Sequence, residues 1–139
     1  GPSIGRMTTA GVVTTFPTQA YVPVLAADPV GALWFPNGVG RIGRMTTAGV
    51  LTNFDLPGPL SAGGSMTVGA DGNLWFRSTE SPDIFRMTPA GVVTTFSDPS
   101  LGQHLTMAAG ADGNVWFAEY ANHAVGRITP AGKVKLVGS

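Results

Sequence analysis

The sequence contains no cysteine, only two histidines and few charges. Without cysteine it has no disulfides and no thiolate metal sites. Charged residues make up 12 % of the chain, against a usual share of roughly 25 %. Lys plus Arg number 8 and Asp plus Glu number 8, so the net charge is zero. A neutral chain has no electrostatic pull on nucleic acid or an anionic membrane surface. No apolar run approaches the roughly 18 residues that a membrane-spanning helix needs. No leader segment is visible, and the compartment stays open. No long helical periodicity appears, which argues against α/β layers and helical solenoids. The chain has no G-x-S-x-G, no H-E-x-x-H and no phosphate-cradling glycine loop followed by lysine. Hydrolase, zinc-peptidase and nucleotide-binding readings therefore lack support.

Glycine (20) and proline (11) are abundant, and threonine recurs throughout the 139 residues. This is an all-β composition rich in turns, sized for one small domain or part of a larger one. Gly1-Pro2-Ser3 reads as a cloning scar and is set aside from fold reasoning, and Gly138-Ser139 fits the same reading.

Two motifs alternate along the chain. The first is Ile-Gly-Arg-Met-Thr-Thr-Ala-Gly followed by Val-Val-Thr-Thr-Phe, from Ile4 to Phe16. It returns at Ile42–Phe54, at Ile84–Phe96 and, more changed, from Val125. Its arginines, Arg6, Arg44, Arg86 and Arg127, lie 38, 42 and 41 residues apart. The second motif is Gly-[Ala/Asn]-[Leu/Val]-Trp-Phe, at Gly31–Phe35, Gly72–Phe76 and Gly113–Phe117. Its tryptophans are 41 residues apart in both intervals. Asp71-Gly72 and Asp112-Gly113 are strong hairpin-turn signals. The corresponding turn before Ala32 is Asp28-Pro29-Val30-Gly31.

Each unit therefore predicts four short strands. Strand A precedes the Asp-Gly turn, at 22–26, 65–68 and 105–108. Strand B carries Leu-Trp-Phe, strand C carries the arginine, and strand D follows the Ala-Gly turn. A period near 41 with four strands is the signature of a β-propeller blade. Three large apolar residues in a row on strand B fit a sheet buried on both faces. The units divide as a scar at 1–3, a half blade of strands C and D at 4–16, and blades at 17–56, 57–98 and 99–139. The chain thus holds about three and a half blades.

These residues resemble the repeat of the virginiamycin B lyase, or streptogramin lyase, family. The best copy is Gly110-Ala111-Asp112-Gly113-Asn114-Val115-Trp116-Phe117-Ala118-Glu119-Tyr120, continuing through Gly126-Arg127-Ile128-Thr129-Pro130-Ala131-Gly132. The resemblance covers almost the whole chain and implies a seven-bladed propeller of about twice this length. It also implies metal-assisted elimination that opens the ester ring of streptogramin B antibiotics. Such a reaction needs a base next to a carbonyl and a cation, here Mg2+, to polarise the leaving ester. On this reading His104 and Glu119 are the candidate catalytic residues. His104 falls one position from the family's histidine, and one residue reverses side-chain direction in a strand. Pro23 and Gly64, which hold the matching places in the other blades, offer no such chemistry.

Repetition itself favours structural roles. The four arginines recur once per blade, as a shared packing need would require. The Trp-Phe pairs are core, since large aromatics supply most buried area. Calcium loops need several closely spaced carboxylates, which the Asp-Gly turns lack. His123 reads as a surface loop residue, and Glu80 and Glu119 read as solvated or channel-lining. No cofactor is expected unless the lyase reading holds.

An arc of blades leaves an apolar sheet face of a few hundred Å² at each end, on the order of what monomers rarely expose. Burying both faces would contribute on the order of 10 kcal/mol before entropic costs. A head-to-tail homodimer closing a ring is thus the expected partner state, without catalysis. The alternatives are a metal-dependent lyase completed at the ring centre and an extracellular ligand- or protein-binding propeller.

Overall fold

The computed structural model describes residues 1–58, 60–78, 81–99, 101–102, 105–120 and 123–138. Among these residues every regular element is a strand. A two-stranded hairpin, β1 (Ser3–Met7) and β2 (Val13–Pro17), comes first. Three four-stranded antiparallel sheets follow, each with its strands in chain order. The first holds β3 (Ala26–Ala27), β4 (Leu33–Pro36), β5 (Arg41–Met45) and β6 (Leu51–Asp55). The second holds β7 (Ala62–Val68), β8 (Leu74–Ser78), β9 (Ser81–Met87) and β10 (Val93–Phe96). The third holds β11 (Leu105–Ala109), β12 (Val115–Glu119), β13 (Ala124–Ile128) and β14 (Val134–Gly138). These are the blades of a β-propeller. Ser3 pairs with Pro17, so strand pairing begins one residue before Ile4.

The first inner strand is shorter than expected. Only Ala26–Ala27 pair with β4, because Pro23 has no amide to donate to a ladder. Val24 still packs on the core. The second inner strand is longer than expected, and it carries an irregularity between Ala62 and Met66. Gly64 sits inside that irregularity at φ +72°, as bulges favour.

The hairpins between the third and fourth strands share one design. Gly11, Gly49, Gly91 and Gly132 donate to the carbonyls of Thr8, Thr46, Thr88 and Thr129 at 2.8–2.9 Å. Each threonine hydroxyl also accepts the amide just after the glycine, at 3.0–3.1 Å. All four glycines have positive φ, between +85° and +93°, a region other residues enter at a cost.

The core lies between sheets. Trp34 and Ile42 meet Met66, Leu74, Phe76, Phe85 and Met87 of the next blade. Trp75 and Ile84 meet Met107, Val115, Phe117 and Ile128. Ile4 of the half blade meets Phe35 and Met45. In the first two full blades the second strand sends its tryptophan and the third strand its isoleucine towards the following blade, while phenylalanine and methionine face the preceding one. This two-sided burial is the physical reason for the Leu-Trp-Phe run. The inner strands are also stitched directly: Met107 and Ala109 donate their amides to the hydroxyls of Ser65 (2.7 Å) and Thr67 (3.2 Å).

Candidate functional site

Antiparallel pairing places the connections between second and third strands at one end of every blade, together with the links between blades. Glu119 ends β12 at that end and is 2 % exposed. The equivalent residues, 41 positions apart, are Asn37 and Ser78, both buried. Asn37 shows what the position does. Its Oδ1 accepts the Gln19 amide at 3.0 Å, in the link between β2 and β3. Its Nδ2 donates to Asn53 Oδ1 at 2.9 Å. Glu119 lies against the link between β10 and β11 in the same way. A Cβ added to Gly102 would stand 2.9 Å from Glu119 Cγ, so glycine is what lets the glutamate in. The resemblance to the lyase family singled out Glu119; the structure seats it against Gly102, as its equivalent Asn37 is seated against Gln19.

His104 and Glu80 lie outside the described residues. His123 is exposed, at φ +53°. Its ring is 6.4 Å from that of Tyr120 and its amide donates to the Tyr120 carbonyl at 3.4 Å. Among the described residues no three His, Cys, Asp or Glu side chains gather as a metal would require.

The opposite end of the blades carries the turns. Trp34 Nε1 donates to Asp28 Oδ2 at 3.0 Å, and Trp116 Nε1 donates to Asp112 at 3.1 Å. The two aspartates stand at different places in the turn. Asp28 is the first turn residue; Gly69 and Gly110 hold that place in the other blades, with Asp71 and Asp112 two residues later. A Cβ on Gly110 would stand 2.6 Å from Asp112 Oδ1 and 2.7 Å from Trp116 Nε1. The acceptor for the indole is kept while its origin in the turn changes. Read as turn formers alone, these aspartates conceal that second job.

Burial pushes the Asp28 carboxyl up, but the Trp34 indole, the Ala32 and Val30 amides and the Arg44 guanidinium outweigh it and hold the group below the usual carboxylate range. Asp112 is also lowered, chiefly by the Trp116 indole and the Asn114 amide. The Arg44 guanidinium reaches Asp28 at 3.3 Å and lies 5.6 Å from the Trp34 ring. Asp28, Arg44, Asp71 and Pro89 line an open cleft of about 340 Å³ between two blades.

The repeated arginines cover the repeated aromatics. Arg44, Arg86 and Arg127 lie 5.6–5.8 Å from the rings of Trp34, Trp75 and Trp116. Arg6 donates to the Thr47 carbonyl and Arg86 to the Pro130 carbonyl, each in the turn of the following blade. The structural role expected from their repetition is thus visible in side-chain contacts.

The Virginiamycin B lyase family profile matches residues 1–138. The chain belongs to the virginiamycin B lyase family. Solved virginiamycin B lyase from Staphylococcus aureus is 29 % identical with a TM-score of 0.82, over 99 % of this chain and 48 % of that one. A streptogramin B lyase structure is 28 % identical with a TM-score of 0.83, over 98 % and 47 %. A chain of the nidogen/laminin complex shares the fold at 20 % identity and a TM-score of 0.78, over 99 % of this chain and 57 % of that one. No curated protein matches. This member of the family spans about half the length of the lyases it matches.

Proposed function

We propose that the chain is a propeller-ring segment that associates head to tail with a second copy and has no lyase activity by itself. The observation that carries this reading is the pair of unmatched halves at its two ends. Phe16, Phe54 and Phe96 press on Gly49, Gly91 and Gly132 of the following blade, while Gly11 has nothing within 4 Å of its Cβ position. At the other end, Val125 is 46 % exposed although its equivalents Ile4, Ile42 and Ile84 are buried. Arg127 occupies the place from which Arg6 and Arg86 reach a turn carbonyl, and Thr9 carries the matching acceptor. A surface that already joins blades three times within one chain can join two chains by the same contacts.

Light scattering on a size-exclusion column tests this: a mass of two chains supports it, and a monomer at every concentration overturns it. A second reading is a Mg2+-dependent lyase opening a cyclic ester antibiotic, favoured by the likeness to solved lyases. One of these is a catalytically inactive S. aureus variant solved with quinupristin, 30 % identical to this chain. Incubation with a streptogramin B and Mg2+ distinguishes them, since only the second predicts loss of the ester.

A further inference from the structure

Arg6, Arg44 and Arg86 each stand at a junction with a following blade, and they do not all make the same contact. Arg6 and Arg86 donate to a carbonyl in the turn of that blade, from Thr47 and Pro130. The matching carbonyl for Arg44 is that of Pro89. Arg44 turns the other way, and its Nη2 lies 3.3 Å from Asp28 Oδ2 in its own blade. The donor that Thr47 and Pro130 receive therefore goes to an aspartate at this junction.

The cause is a single turn residue. Asp28 holds the first place of its turn, where the other blades have Gly69 and Gly110. Its side chain is 7 % exposed and is fixed by the Trp34 indole at 3.0 Å and the Ala32 amide at 2.9 Å. A carboxylate outcompetes a neutral carbonyl for a guanidinium. Glycine offers Arg86 no carboxylate at that place, and Arg86 reaches across its junction.

The cleft lies where this pattern breaks, with Asp28 and Arg44 on one wall and Asp71, Gly72 and Pro89 on the other. Two carboxylates and one guanidinium leave it a negative charge, carried by the exposed Asp71. Asp71 accepts from the Asn73 amide at 3.1 Å and from Asn73 Nδ2 at 3.0 Å. A carboxylate has lone pairs for about four such bonds, so it can take a further donor.

We propose that this cleft binds a guanidinium group from outside the chain, either an arginine side chain of a peptide or a free small guanidine. The group takes the place at Pro89 that Arg6 and Arg86 take at Thr47 and Pro130. It donates to the Pro89 carbonyl and pairs with the Asp71 carboxylate, as a planar fork of donors allows. Arg44, held by Asp28, keeps the seat open. The inference stands apart from ring closure, because both blades that build the cleft lie within one chain.

The test is a titration of ¹⁵N-labelled protein at constant ionic strength. The probes are methylguanidinium chloride, the capped peptide Gly-Arg-Gly and its citrulline counterpart, which keeps the shape without the charge. Both guanidines should give saturable shifts at the amides of Ala70–Gly72 and Ala90–Gly91. The citrulline peptide should bind at least tenfold more weakly than the arginine peptide. Arginine-peptide binding at least tenfold tighter than methylguanidinium assigns the seat to a peptide side chain, and a smaller difference assigns it to the guanidine alone; both support the proposal. Asp71→Asn keeps an oxygen for the Asn73 amide, so it should keep the melting temperature and lose binding at least tenfold. Asp28→Asn, shown to be folded by its amide dispersion, releases Arg44 to the Pro89 carbonyl and should close the site. Absence of saturable shifts at these amides, equal binding of the citrulline peptide, or undiminished binding by either variant would overturn the proposal.

Discussion

The Phe54 ring lies against Gly91 of the next blade, so closely that a Cβ there would stand 2.9 Å from Cδ1. The contact ties a strand end to a turn and repeats along the chain with Phe16 on Gly49 and Phe96 on Gly132. Two costs meet at Gly91, the positive φ and the lack of room. Gly11 has the first without the second. Gly11→Ala should therefore cost about 1 kcal/mol, and Gly91→Ala about 1–3 kcal/mol more. Urea unfolding of both variants measures the difference, and equal losses would show that the ring does not press on the glycine.

Arg86 and Arg127 occupy the same place in successive blades. Arg86 covers both Trp75 and Phe96 and donates to the Pro130 carbonyl. Arg127 covers Trp116, on the outer face of the last blade. Arg86→Ala is expected to cost about 1–3 kcal/mol, since it removes a charged donor to a backbone carbonyl and an aromatic cover. Arg127→Ala is expected to cost under about 1 kcal/mol in the monomer. If instead Arg127→Ala is the more harmful at high protein concentration, the last blade's face is joined to another chain.

Acid should weaken the fold through Asp28. Its carboxyl is held below the ordinary value of 3.8 in the folded chain. A depressed group adds stability that is complete above the unfolded value and is lost as the pH falls through the folded value. Wild type should therefore lose stability steeply below about pH 4. Asp28→Asn should flatten that limb and cost about 1–3 kcal/mol at neutral pH. Urea midpoints between pH 3 and 7 check both statements, and parallel acid limbs would contradict them.

Glu119 and Asn37 should behave alike if both anchor a link between blades. Alanine at either position should cost about 1–3 kcal/mol by leaving buried polar groups without a partner. Millimolar Mg2+ should leave the melting temperature of wild type unchanged. A Mg2+-dependent rise that Glu119→Gln abolishes would mark the glutamate as a ligand instead.

Much of this architecture was legible in the chain because a repeat states each rule several times. The 41-residue interval, the Trp-Phe pairs and the turn glycines determined a four-stranded antiparallel unit, since period, turn residues and two-sided apolar strands agree on one solution. The unpaired half blade at Ile4–Phe16 followed from counting motifs. Other features depend on which atoms meet across blades, and no local pattern encodes that. The tertiary structure alone decided that Trp34 and Trp116 are held by aspartates from different turn positions. It alone brought Glu119, at the end of β12, against Gly102 in a distant link. It also separated Met7 from Met45 and Gly5 from Gly43, which share a motif and differ only in their neighbours. Burial and vacancy are properties of the surroundings, so identical residues in identical repeats become core in one blade and open edge in another.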